Sequence, residues 1–130
     1  MYKESELTQV IIGIAMNIHN KLGPGFKEEI YHQAMINDLI KEGLKIESEY
    51  EFDLVYDDKL IGIFRVDLIV ADKVIVELKA VSGEMSKIFQ TQTVSYLKAS
   101  RLEVGLLINF GNPSLEVKRF GNYKSYKKSV

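Results

Sequence analysis

Two apolar segments, residues 64–70 and 74–80, contain three charged side chains of a kind that buried strands normally exclude. The acids Asp67 and Glu77 and the amine Lys79 interrupt runs of valine, isoleucine and leucine. Charged side chains are rarely buried unless they are paired or bound to something. Any fold of this chain must therefore bring these three groups to a place where their charges are tolerated.

A short polar stretch between the two segments predicts a β-hairpin. With a three-residue loop, Val70 faces Val74, and counting back places Asp67 opposite Glu77 on the same side of the sheet. Lys79 shares that side because side chains alternate along a strand. A two-residue loop would shift the pairing by one and break the alignment. Two carboxylates this close repel each other unless a cation lies between them, and their oxygens suit Mg²⁺ or Mn²⁺. The alternative is a solvated strand face with an ordinary ion pair.

These residues resemble the signature of a known group of phosphodiesterases. Asp67, nine intervening residues and then the sequence Glu77-Leu78-Lys79 are similar to the PD-(D/E)XK pattern. Residues 25–31, which read GFKEEIY, match the G-x-x-E-x-x-Y heptapeptide of the GxxExxY family, classed by its fold with the PD-(D/E)XK nuclease-like proteins. The resemblance runs from about residue 4 to 120, and further segments agree with it: 19–25, 74–80, 96–99 and 104–111.

The resemblance implies a metal-dependent nuclease site. Asp67, Glu77 and the backbone carbonyl of Leu78 would hold Mg²⁺ or Mn²⁺, with Glu28 of the heptapeptide as a direct or water-mediated ligand. Lys79 would orient the attacking water or stabilise charge on the phosphorus. The catalytic residues implied are therefore Glu28, Asp67, Glu77 and Lys79. The implied reaction is hydrolysis of DNA or RNA without strong sequence specificity.

A second group of residues is assigned to substrate positioning. Gln92 and Tyr96 stand four apart on a predicted helix, as in the Gln-x-x-x-Tyr element of nuclease domains from bacterial recombination exonucleases. Tyr31 of the heptapeptide joins them. The resemblance also implies a His-Glu pair just ahead of Gln92, where this chain has Phe89 and Gln90. This departure leaves a catalytically inactive module that binds nucleic acid or a protein as the alternative function.

Hydrophobic periodicity predicts the element order ααβββαββ. This order indicates an α/β (α+β) fold in which helices flank a mixed sheet, with a restriction-endonuclease-like core. The segment 45–56 alternates apolar and charged residues and is predicted to be a half-buried strand. We expect one nuclease-like domain over residues 1–120 and a basic, flexible tail over 121–130. The predicted helices are 4–22, 27–41 and 86–100, and the predicted strands are 45–56, 60–70, 73–80, 102–110 and 115–120.

Composition narrows the class of protein and its location. The net charge is −1, so any contact with nucleic acid must come from a local surface. The absence of cysteine excludes disulfides and thiolate metal sites and fits a reducing cytoplasm. No apolar run reaches the roughly 18 residues of a membrane span, and no signal peptide is visible. We therefore expect a cytoplasmic protein with nucleic acid as its partner, and a possible homodimer built on exposed apolar strand residues.

Overall fold

The computed structural model describes residues 4–121. The predicted element order ααβββαββ and the mixed α+β class are confirmed. Of the predicted tail, residues 121–130, only Gly121 falls within this range, so the tail prediction lies outside the described residues. The elements are α1 (Ser5–Leu22), α2 (Glu28–Lys41), β1 (Ile46–Tyr56), β2 (Lys59–Val70), β3 (Val74–Lys79), α3 (Lys87–Ser100), β4 (Val104–Asn109) and β5 (Glu116–Gly121).

The five strands form one sheet in the order β1-β2-β3-β4-β5. Neighbouring strands are antiparallel except β3 and β4, which are parallel and are joined through α3. A parallel connection needs a crossover of a dozen or more residues, and α3 supplies it. Every residue of β4 is buried, and β5 lies at the edge of the sheet.

Helices cover both faces of the sheet. α1 and α2 pack on one face, where Ile11, Ala15 and Ile18 recur at the three- and four-residue spacing of a buried helix stripe. α3 packs on the other face through Leu97. The hydroxyl of Ser86 accepts a hydrogen bond of 3.4 Å from the backbone N–H of Ile88 and so caps the start of α3. Within the described residues, no helix is both long and apolar enough to cross a membrane.

The loop between β2 and β3 has the predicted length of three residues. Val70 pairs with Val74, and the backbone N–H of Lys73 donates to the carbonyl of Val70 at 3.0 Å. Ala71 and Asp72 both take left-handed backbone angles, with φ of 53° and 58°. The structure therefore has the predicted strand register, on which the placement of Asp67 near Glu77 depends.

The prediction of a half-buried β1 is wrong for most of the strand. Phe52 is partly buried, but Leu54 is 39% exposed and Tyr56 is 71% exposed. The reason is that β1 and β2 extend together past the rest of the sheet, so neither face of their far end is covered. We call residues 53–63 the β-arm. It ends in a two-residue turn, and its pairing shifts between Leu54 and Val55, next to the pair of Leu54 with Gly62.

Candidate active site

The site lies where β2 and β3 stop pairing. The regular pairing ends with Leu68 opposite Val76. Beyond it, two carboxylates take over the bridging of the strands. The backbone N–H of Asp67 donates to Oε2 of Glu77 at 2.7 Å, and the backbone N–H of Leu78 donates to Oδ2 of Asp67 at 2.7 Å. The two acids are therefore held side by side, each carboxylate fastened to the backbone next to the other.

Glu77 is the most perturbed acid of the site. Its side chain is 5% exposed, and burial raises its pKa to about 8, with the negative charge of Asp67 as the next cause. The hydrogen bond from Asp67 and the positive charge of Lys79 act in the opposite direction. Strongly shifted acids concentrate at functional sites because buried like charges are costly elsewhere. The electrostatics thus mark Glu77 as the centre of the cluster.

Lys79 lies two residues beyond Glu77 on β3 and is half-buried. Its charge lowers the pKa of both Glu77 and Glu28, which shows that the amine lies within electrostatic reach of both acids. The Lys79 ammonium is also 4.4 Å from the ring centroid of Phe89, at the start of α3. The aromatic ring stands where the resemblance implies a histidine, and it contacts the cation by a cation–π interaction.

Glu28 comes to the cluster from a different element, the first turn of α2. It is partly buried, and its pKa is raised first by that burial and further by the charge of Asp67, while Lys79 and His32 lower it. Its position at a helix N-terminus is favourable for a negative charge. The structure therefore brings Glu28, Asp67, Glu77 and Lys79 into one interacting group.

Tyr31 does not lie where a substrate-positioning residue would. It is 0% exposed, so its side chain has no surface for a substrate. Its hydroxyl donates to the carbonyl of Gly23 at 2.6 Å and accepts from the backbone N–H of Phe26 at 3.2 Å. Its ring stacks on Phe110, with centroids 4.6 Å apart. Tyr31 instead holds the turn before α2 against the sheet, and through that turn it positions Glu28.

The two candidate residues of α3 differ in how close they come to the acids. The pKa of the Tyr96 hydroxyl is raised by burial and then by the charges of Glu77 and Asp67, so the ring borders the cluster. Gln92 is exposed and lies one turn earlier on the same row of the helix. The structure thus places Tyr96 beside the acids and Gln92 on the open surface next to it.

Sequence reasoning missed a clamp formed by the end of β4. Asn109 is fully buried; its Oδ1 accepts from the backbone N–H of Val81 at 2.8 Å, and its Nδ2 donates to the Val81 carbonyl at 2.9 Å. The N–H of Phe110 donates to the carbonyl of Lys79 at 2.8 Å. A Cβ on Gly111 would lie 2.4 Å from Val81 backbone atoms. The signal was a polar amide within an otherwise apolar strand, which requires buried partners.

The donor set fits a hard divalent cation. Carboxylates and a backbone carbonyl are oxygen ligands, and Mg²⁺ needs few of them because it keeps several waters. A cation would also offset the two effects that raise the pKa of Glu77, its burial and then the negative charge of Asp67. Within residues 4–121, no group of three or more histidine or acidic side chains stands in an arrangement that could hold a metal ion, and both central carboxylates accept hydrogen bonds from backbone N–H groups. Asp67, Glu77, Glu28 and the Leu78 carbonyl therefore supply suitable ligands that would have to turn towards the ion.

Two solved structures are similar to this chain in fold. Among solved structures, the chain is similar to SSO0001, with 19% identity and a TM-score of 0.54 over 73% of this chain and 50% of that chain, so it spans half of that protein. It is also similar to an alkaline exonuclease from Laribacter hongkongensis, with 10% identity and a TM-score of 0.54 over 99% of this chain and 76% of that chain. At these identities the likeness concerns the fold.

No curated protein matches the sequence. A family model does: the model of the PD-(D/E)XK nuclease superfamily matches residues 5–120. The matched range contains all of the acids and the lysine of the cluster. This chain belongs to the PD-(D/E)XK nuclease superfamily.

Proposed function

We propose that this protein is a divalent-metal-dependent nuclease that hydrolyses phosphodiester bonds of DNA or RNA without strong sequence specificity. The observation that carries the proposal is the meeting of Asp67, Glu77 and Lys79 at the point where β2 and β3 separate. The G-x-x-E-x-x-Y heptapeptide around Glu28 further places the chain, in our proposal, in the GxxExxY group of the superfamily.

Asp67, Glu77, the Leu78 carbonyl and Glu28 are the proposed ligands of Mg²⁺ or Mn²⁺. When bound, such an ion supplies positive charge next to the scissile phosphate and makes a neighbouring water more acidic. A cation between the carboxylates of Asp67 and Glu77 would also replace their mutual repulsion with attraction to the ion. Burial and then neighbouring negative charge raise the pKa values of Glu77 and Glu28, and a bound cation would act in the opposite direction by favouring the ionised acids.

The chain's own residues would then carry out the hydrolysis. The Lys79 ammonium, once turned from the ring of Phe89, donates a hydrogen bond to the attacking water or to a phosphate oxygen, where negative charge grows. The water oxygen bonds to phosphorus, the ester P–O bond breaks, and the departing alkoxide takes up a proton from solvent as the water loses one. Gln92 and Tyr96 would position the strand. These groups address the phosphate, which carries no sequence information, so weak sequence preference follows.

A cleavage assay tests the proposal. Labelled single- and double-stranded DNA and RNA are incubated with the full chain and Mn²⁺, alongside Lys79→Ala. We expect cleavage by the wild type and a loss of at least about a hundredfold in the variant, because an electrostatic donor at the reacting centre contributes on that scale. Lys59→Ala, at the tip of the β-arm, is the matched control and should cut like the wild type. Equal cleavage by Lys79→Ala would contradict the proposal.

One observation favours a second candidate, a nuclease-fold module that binds without cutting. The Lys79 ammonium already contacts the ring of Phe89, and the two central carboxylates already accept backbone hydrogen bonds. A polar cluster satisfied in this way can serve as structure alone. Binding of nucleic acid with no cleavage by either the wild type or Lys79→Ala, in Mg²⁺ and in Mn²⁺, would support this candidate.

We further propose that the protein acts in the cytoplasm on nucleic acid, consistent with its lack of cysteine. A homodimer, if formed, would use the exposed apolar residues of the β-arm, among them Val55, Leu60 and Ile63, each more than half exposed. A mass measurement in solution tests this part: a monomer at all concentrations would exclude it.

A further inference from the structure

Four aromatic side chains form a continuous row on the α3 side of the sheet. Tyr50 and Phe52 come from β1, Phe64 from β2 and Tyr96 from α3. Neighbouring ring centroids are 4.9 Å apart for Tyr50 and Phe52, 5.1 Å for Phe52 and Phe64, and 4.8 Å for Phe64 and Tyr96. The last two pairs are nearly parallel, at 15° and 17°. We call these residues the aromatic row.

The aromatic row begins at the acid cluster. Tyr96 lies close enough to Glu77 and Asp67 for their charges to raise the pKa of its hydroxyl. Phe64 precedes Asp67 by three residues on β2. A nucleic-acid strand whose phosphate reached the cluster would therefore have its adjoining bases beside these rings.

Two acids of β1, Glu49 and Glu51, lie within ion-pair distance of Arg65, whereas Glu47 lies near Tyr50 and Phe52 at the far end of the row. Side chains alternate along a strand, so Glu51, between Tyr50 and Phe52, projects to the opposite side. There it accepts a hydrogen bond of 3.0 Å from Arg65. On the row's side, a carboxylate at this position would repel a phosphate backbone. The placement of Glu51 on the far side therefore leaves the middle of the row as ring surface.

Packing explains only part of the row. Phe52, Phe64 and Tyr96 are partly buried against the apolar cluster beneath α3. Tyr50 extends the row beyond that cluster and is 40% exposed. The Tyr50 ring meets Phe52 edge-on, at an interplanar angle of 68°, and does not continue the parallel stack of the other rings. Its position is that of a surface on which another flat group can stack.

A cavity of about 330 Å³ continues from the far end of the row. Tyr50 and Phe52 form part of its wall. Lys45 at its rim is paired with Asp72 at 2.9 Å, and Glu47 lies beside them, so the rim is not a site for a phosphate. The cavity is large enough for a flat ring, since ligand pockets begin at about 300 Å³. Its aromatic wall suits a base.

We propose that the aromatic row binds the unpaired bases of single-stranded nucleic acid, and that single strands or frayed ends are the substrate class of this protein. Bases of a duplex already stack on one another and cannot offer their faces to protein rings, whereas unpaired bases can. Stacking is tolerant of sequence because every base has a flat π-face. This proposal rests on the proposed nuclease function, because it names the substrate that the acid cluster receives.

Binding measured in EDTA tests the proposal independently of cleavage. The probes are a fluorescently labelled single-stranded oligonucleotide of mixed sequence and the corresponding duplex, titrated with the full chain. Tyr50→Leu keeps apolar bulk but removes the ring, and it should weaken single-strand binding on the order of tenfold. Tyr50→Phe keeps the ring and should bind like the wild type. Tyr56→Leu, on the same strand but outside the row, is the matched control and should also bind like the wild type.

The outcomes separate this proposal from the nuclease function itself. Single-strand binding that depends on Tyr50, with or without cleavage in Mn²⁺, supports the aromatic row as a base-binding surface. Unchanged binding by Tyr50→Leu, equal weakening by Tyr56→Leu, or duplex binding as tight as single-strand binding would overturn it, even where the wild type cleaves. Phe52→Leu, checked by thermal melting for an intact fold, provides a second variant with the same expected loss of binding.

Discussion

The backbone N–H of Asp67 donates a 2.7 Å hydrogen bond to Oε2 of Glu77, at the position where the ladder between β2 and β3 would otherwise continue. A side chain thus replaces a backbone acceptor at the one place where both strands carry an acid. The arrangement keeps the strands apart by the width of a carboxylate. It also holds the two acids next to each other.

The stability of the metal-free protein should fall as the pH rises. The pKa of Glu77 is about 8 in the folded state and near 4.5 when unfolded, so only the folded chain keeps this proton between those values. Stability is therefore greatest below about pH 4.5 with respect to this group and declines up to about pH 8, by at most about 1.4 kcal/mol per pH unit. Glu28 contributes in the same direction.

Urea unfolding in EDTA at about pH 5 and about pH 8 measures this effect. Glu77→Gln cannot titrate but keeps an oxygen that can accept from Asp67, so its stability should change less between the two pH values. A wild type whose stability is flat or rises over this interval would show that Glu77 is ionised in the folded protein.

Divalent ions should raise the melting temperature. An ion that binds only the folded chain stabilises it by about 2.7 kcal/mol at a hundredfold excess over its dissociation constant, which corresponds to several degrees. The measurement is thermal melting with and without Mg²⁺ or Mn²⁺. Glu77→Gln should lose the shift, because it lacks the central charge. Glu51→Gln, which changes an acid of β1 that is hydrogen-bonded to Arg65, should keep the shift. A shift retained by both variants would place the ion elsewhere.

Tyr31→Phe should destabilise the protein by about 1–3 kcal/mol. The change removes the hydroxyl that bonds the Gly23 carbonyl and the Phe26 N–H, but it leaves the ring stacked on Phe110. Chemical unfolding measures the loss. Tyr56→Phe, at a ring that is 71% exposed, is the control and should stay within about 0.5 kcal/mol of the wild type. If Tyr31→Phe instead lost cleavage activity without losing stability, Tyr31 would have the substrate-positioning role predicted from the sequence.

Gly111→Ala should destabilise the protein by about 1–3 kcal/mol or more. The added Cβ would lie 2.4 Å from the backbone of Val81, so the segment after Lys79 must move. Gly13→Ala is the matched control. It lies inside α1, where an added Cβ meets nothing within 4 Å, and it should be neutral or stabilising by up to about 1 kcal/mol. Equal melting temperatures for the two variants would mean that the backbone at Val81 can move to accept the added Cβ without a loss of stability.

Much of the fold follows from local pattern. The three-residue loop between Val70 and Val74 sets the register of β2 on β3, and that register places Asp67 beside Glu77. These contacts join residues close in sequence, so strand alternation and loop length are enough to predict them. The helices follow from their apolar spacing in the same way.

Other parts of the site depend on contacts between distant segments. No local pattern distinguishes a tyrosine that contacts substrate from Tyr31, which is buried against Phe110, the residue after β4. The alternating pattern of β1 also could not predict that the β-arm is exposed. Alternation indicates which residues share a face of the strand, but not whether another layer covers that face. The clamp made by Asn109 on Val81 likewise joins segments 28 residues apart.

The amino-acid sequence by itself determined the order of the elements, the pairing of β2 with β3 and the presence of two acids and an amine at their divergence, because each depends on neighbours along the chain. Only the tertiary structure decided that Glu28 reaches those acids from α2, that Phe89 contacts Lys79, and that aromatic rings from β1, β2 and α3 line up beside them. These features arise when the helices pack on the sheet, and the free energy of that packing comes from burial over the whole domain.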